Sequence, residues 1–132
     1  MLSREMAQEE FSRWLNIKKI KEEKVDLKEK YADAKETLIS GIADGRITID
    51  EKGNMTVKLN IPLGDNEQTD SLTFKPRMQA FEMDKLNRCS TDTAKARAFI
   101  EILTGQLAGV IRNLDSNDMA LCNEIVVFYY LA

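Results

Sequence analysis

The chain contains no histidine, so the side chain most often used as general base and as metal ligand is missing from all 132 residues. Catalytic or metal chemistry would have to come from cysteines and carboxylates. Cys89 and Cys122 stand far apart and form no CxxC pair, and no tight carboxylate cluster accompanies them. A nucleophilic thiol wants a base beside it, and no imidazole exists to serve. Cys122 also falls on the apolar stripe of a predicted helix, where a thiol packs as a small inert hydrophobe. The best-spaced carboxylates, Asp115 and Asp118, lie in the run Asp115-Ser116-Asn117-Asp118, whose side chains are those that cap helix N-termini. Neither candidate loop would cradle a phosphate. Leu103-Thr104-Gly105-Gln106-Leu107 has one glycine, and the loop at Gly64 lacks a following Lys-Ser or Lys-Thr. These residues predict a protein that is not an enzyme, with no cofactor and no metal.

Binding chemistry has more candidates. Lys18 to Lys30 holds six lysines and four acidic residues, a local charge of +2. A phosphate-binding stripe keeps acids off its face, whereas Glu22 and Glu23 stand among these lysines at pairing distance on a helix. The segment reads first as a solvated helix surface and second as a nucleic-acid contact. Lys75 and Arg77 beside Phe74 offer only two cations and one ring to stack a base. The ending Ile125-Val126-Val127-Phe128-Tyr129-Tyr130-Leu131-Ala132 is apolar all round, so it must be buried by its own core or by another chain. The stripe of Met6, Phe11 and Trp14 has the same two outcomes. Phe11, Trp14, Phe128, Tyr129 and Tyr130 are therefore the candidate partner contacts, with self-association into a homo-oligomer as one use of them.

Three regions must position these residues. Residues 1–45 read as a helical hairpin: Ser3 caps a helix carrying Ala7, Phe11, Trp14 and Leu15, with Ile17 and Ile20 broadening the stripe. The second helix carries Leu27, Tyr31, Ala34, Leu38 and Ile42 and opens on an Asp26–Glu29 capping box. Gly41 and Gly45 mark its end, a candidate subdomain boundary. Residues 46–75 change to a period of two. Ile47 and Ile49, then Met55, Val57, Leu59 and Ile61, then Leu72 and Phe74 make one apolar face of a small antiparallel β-meander, with Pro62 to Asn66 ending the second strand in a loop. Residues 76–132 return to helix. One helix starts at Pro76 with Met78, Phe81 and Leu86 inward, and the next is capped by Ser90-Thr91-Asp92 with Phe99, Ile102 and Leu103 inward. Leu107, Val110, Ile111 and Leu114 form a short segment, and a last helix runs from Asp115 nearly to the end. The prediction is one α+β domain over 1–132: helical hairpin, meander, and a bundle of three to four helices.

Bulk properties agree with that picture. At 15.0 kDa, 43% hydrophobic and 31% charged, the chain suits one globular domain whose core needs no staple. A formal charge of -3 argues against general attraction to phosphate backbones. No apolar window is long enough to span a bilayer, and the start at Met1-Leu2-Ser3-Arg4-Glu5 lacks a signal-peptide pattern. A cytoplasmic location is expected.

From Met55 onward the order of phrases is distinctive. Thr56-Val57-Lys58-Leu59-Asn60-Ile61-Pro62-Leu63 is followed by Ser71-Leu72-Thr73-Phe74-Lys75-Pro76-Arg77 and a short amphipathic helix. Then come Ala96-Arg97-Ala98-Phe99-Ile100-Glu101-Ile102-Leu103-Thr104-Gly105 and Ile111-Arg112-Asn113-Leu114-Asp115-Ser116-Asn117-Asp118, before the hydrophobic last helix. This succession, over residues 55–132, resembles the tail assembly chaperones of long-tailed, myovirus-like bacteriophages and prophages. The resemblance implies a non-catalytic protein of the host cytoplasm. Such a protein binds the long helical tape measure protein, keeps it soluble, and helps recruit the tail tube protein. A frameshifted longer product is common in that family. The rivals are a structural tail or connector protein that stays in the particle, and a nucleic-acid-binding accessory protein using Lys18–Lys30.

Overall fold

The computed structural model describes residues 2–26, 29–64 and 69–131, without the side chains of Asp26, Lys30 and Leu131. Leu27, the Asp26 half of the capping box, and the turn residues Asp65 and Asn66 lie outside what is described. The first helix, α1 (Arg4–Ile17), starts where Ser3 Oγ accepts the Met6 N–H at 3.2 Å. Its buried residues, Ala7, Phe11, Trp14 and Leu15, are those the helical spacing selects. It ends in a Schellman motif, in which Lys19 N–H donates to Asn16 O (3.1 Å) and Ile20 N–H to Leu15 O (3.0 Å). The left-handed residue of that motif is Lys19, at φ 65°, where glycine is usual. A short helix α2 (Glu22–Asp26) leads to α3 (Glu29–Ala43), which packs along α1 as the other arm of the hairpin. The end of α3 repeats the motif with glycine in the left-handed place: Gly45, at φ 82°, donates to Ile42 O, and Arg46 donates to Gly41 O.

The sheet has the order β1 (Ile47–Ile49), β2 (Met55–Leu63), β3 (Thr69–Phe74), antiparallel throughout. Ile47 opposite Val57 opposite Leu72, and Ile49 opposite Met55 opposite Phe74, set the apolar face. Two expectations for β2 need correction. The strand does not stop before Pro62 but runs to Leu63, and Ile61 points outward, 54% exposed. Both follow from a register shift between Lys58 and Leu63. There the Asp118 carboxylate accepts the N–H groups of Asn60 (3.0 Å) and Ile61 (3.1 Å), donors that a neighbouring strand would otherwise take. β1 begins at Ile47, opposite Val57, so Pro62 lies beyond its reach, in an edge portion of the strand where its missing N–H costs no ladder bond.

After the sheet come a 3-10 turn (Ala80–Glu82), α4 (Met83–Asn87), α5 (Asp92–Thr104), α6 (Ala108–Arg112), α7 (Ser116–Val126) and a terminal 3-10 segment (Val127–Leu131). Helix therefore begins at Ala80 rather than at Pro76. Leu86 is buried as expected, but Phe81 turns outward because it falls on a three-residue 3-10 turn and not on the 3.6-residue repeat the spacing assumed. Thr91 caps α5, Gly105 terminates it in the left-handed conformation, and Asp115 caps α7. The α+β assignment holds: helical hairpin, three-stranded meander, carboxy-terminal helices. Hairpin, sheet and bundle contribute to one contiguous core, from Ala7 and Phe11 through Val57 and Leu72 to Ile125 and Phe128. Among the described residues no helix is long and apolar enough to cross a membrane.

Candidate partner-binding surface

The five residues nominated as partner contacts divide sharply. Phe11, Trp14 and Phe128 are completely buried and meet edge to face, with Phe128 5.3 Å from Phe11 and 5.8 Å from Trp14 between ring centroids. Tyr129 is buried as well and meets Trp14 edge to face, 6.0 Å between centroids. These four are corrected to core. The apolar ending of the chain finds its cover in the chain's own first helix, so the surface it offers a partner is small. Tyr130 alone stays accessible, 48% exposed, with its ring 4.7 Å from Phe99 and the Lys95 ammonium 5.8 Å from its centroid.

Beneath this surface lies a polar device that sequence reasoning missed. Lys18, assigned above to a basic solvated stripe, is fully buried. Its Nζ donates to Pro76 O at 2.7 Å and lies 3.0 Å from the Tyr129 ring centroid and 5.1 Å from that of Trp14. The Tyr129 hydroxyl donates to Lys75 O, also at 2.7 Å. Two successive carbonyls leaving β3 are thus held by side chains from the two ends of the fold. Burial, and then the Arg77 guanidinium, push the Lys18 ammonium down to about 6. Burial pushes the Tyr129 phenol up. The nucleic-acid reading of Lys18–Lys30 loses its first cation to the core, and Glu22 in that stretch bonds Ser12 and pairs with Lys35 at 3.3 Å. Phe74, the ring proposed to stack a base, is also fully buried.

The titratable groups suggested for chemistry are equally occupied. Asp118 is no cap but a buried carboxylate, 2.6 Å from Arg46 Nη2 and bonded to the two β2 amides. Burial and the neighbouring Asp118 push the Cys122 thiol up to about 12, which keeps it protonated and unreactive.

Outward from the Lys18 device, the surface becomes apolar. A cleft of about 160 Å³ is lined by Pro76, Arg77, Met78, Met83, Phe99 and Tyr129. Met83 and Phe81 stand exposed on the adjoining helical turns, Phe81 by 69%, and Phe99 connects the cleft to the Tyr130 ring. This arrangement can hold an apolar side chain of another polypeptide, with flexible methionines adapting to its shape. No protein-family model matches the chain, and no curated protein or solved structure matches it either.

Proposed function

We propose that this chain is a non-catalytic tail assembly chaperone of a phage or prophage, acting in the host cytoplasm. It covers apolar surface of a tape measure protein, helps bring in tail tube subunits, and self-associates. The order of phrases over residues 55–132 supports the family reading, and one structural observation supports the mode of action: Phe81, Met83 and Tyr130 expose apolar side chains around a methionine-lined cleft. A monomeric domain gains nothing in stability from a phenylalanine left 69% exposed, whereas a client-binding surface uses it. The client contact thus moves from the buried aromatic cluster to the rim that surrounds it.

Co-expression tests the proposal. A tape measure fragment produced alone should be insoluble, and it should become soluble and co-purify when this chain is present. A fragment that stays insoluble in its presence overturns the reading. Mass spectrometry of purified particles addresses the rival structural role, since stoichiometric incorporation would make the chain a tail or connector subunit.

A further inference from the structure

A second groove, separate from the methionine-lined cleft, runs between the first half of α5 and the α6–α7 corner and measures about 610 Å³, the size of an ordinary binding site. Ala96, Leu114 and Met119 form its apolar floor, and Arg97 and Arg112 line it from opposite helices. Three other arginines of this fold are ion-paired: Arg4 with Glu36, Arg13 with Glu10, and Arg46 with Asp118. Neither Arg97 nor Arg112 has a carboxylate partner among the described residues. Asp92 also lines the groove, but it lies in the first turn of α5, where it complements that helix's own dipole. In a chain of net charge -3, an apolar trough flanked by two guanidinium groups and one carboxylate carries a local positive excess that runs against the average surface.

We propose that this groove docks an acidic amphipathic helix of a protein partner. Its apolar stripe lies on Ala96, Leu114 and Met119, and its carboxylates reach Arg97 and Arg112. Helix-in-groove binding needs an apolar floor with complementary charge along the rim, which is what these five residues supply. Single-stranded nucleic acid would want aromatic platforms, and no aromatic residue lines the groove. The inference stands apart from the tail-assembly reading, because any partner helix of this chemistry satisfies it.

The test uses a dye-labelled helical peptide of about 18 residues with leucines at i, i+4 and i+7 and glutamates beside them, titrated into the full chain by fluorescence anisotropy. Saturable binding is expected, weakened about tenfold or more when every glutamate becomes lysine and, equally, when the chain carries R97E with R112E. The lysine peptide should recover affinity on that double variant. Arg112 is exposed and Arg97 half-buried, so circular dichroism is run beside the titration and should show an unchanged fold. Absence of binding, indifference to either charge reversal, or tighter binding of an oligothymidylate overturns the proposal. So does self-association that R97E with R112E abolishes, which would assign the groove to a second copy of the chain. Loss of peptide binding with retained solubilisation of a tape measure fragment would sink this inference and leave the chaperone reading standing.

Discussion

The amine of Lys18 and the ring of Tyr129 face each other at 3.0 Å, and each residue also holds one of two neighbouring carbonyls, Pro76 O and Lys75 O. The contact joins the end of the first helix to the terminal 3-10 segment across the strand exit. Its chemistry depends on pH. With its folded-state value depressed to about 6 from an ordinary 10.5, Lys18 is neutral in the fold where the unfolded chain would bind a proton. Its contribution is complete above the unfolded value and is lost progressively as pH falls toward about 6. Raised values at Cys122 and Tyr129 act oppositely, but only where the free thiol and phenol begin to ionise, near 9 and 10. Thermal melts between about pH 6 and 8 should therefore show stability rising with pH, and K18M should flatten that slope. An identical slope in K18M would refute the assignment.

Asp118 should be the most sensitive polar position. Its carboxylate is buried and satisfies Arg46 together with two β2 amides. D118A strands all of them, and urea denaturation should register a loss of about 3–5 kcal/mol. R46A should cost less, because Arg46 is partly exposed and the two amide bonds to Asp118 survive its removal.

Lys19 makes the opposite case. It occupies the left-handed position of a Schellman motif whose counterpart at the end of α3 is Gly45. K19G should raise the urea midpoint, with a gain of about 0.5–1 kcal/mol from relieved backbone strain. A valine there should lower it.

Core and rim aromatics should separate cleanly. W14A or F128A should cost about 3–5 kcal/mol, since both rings are fully buried. F81S with M83S should leave stability within about 0.5 kcal/mol in denaturation curves, while reducing the soluble yield of a co-expressed tape measure fragment.

Local patterns made most of this fold legible. The Ser3, Thr91 and Asp115 caps, the Gly45 and Gly105 stops and the two-residue alternation of Ile47, Met55, Val57, Leu72 and Phe74 are each decided within a few neighbouring residues. What escaped is tertiary. Nothing near Asp118 announces that Arg46 and the Asn60 amide will surround it, and a carboxylate in a cap-rich run reads as a cap. Lys18 sits among lysines, so its burial is visible only once Pro76 and Tyr129 close over it. Phe81 defeated the helical repeat because the turn that carries it is too tight to follow one. The burial of Phe11, Trp14, Phe128 and Tyr129 escaped for the same reason: aromatic density marks where apolar contact occurs, and the spacing alone does not say whether the other half of that contact belongs to the same chain.

Phe128 completes a ring cluster begun by Phe11 and Trp14, which lie near the opposite end of the sequence. On the ribosome, the first helix must therefore wait with two large aromatic faces uncovered until residue 128 has left the exit tunnel. Folding of the hairpin is tied in this way to the emergence of Phe128, and any nascent fragment stopped before that point should be sticky and degradation-prone.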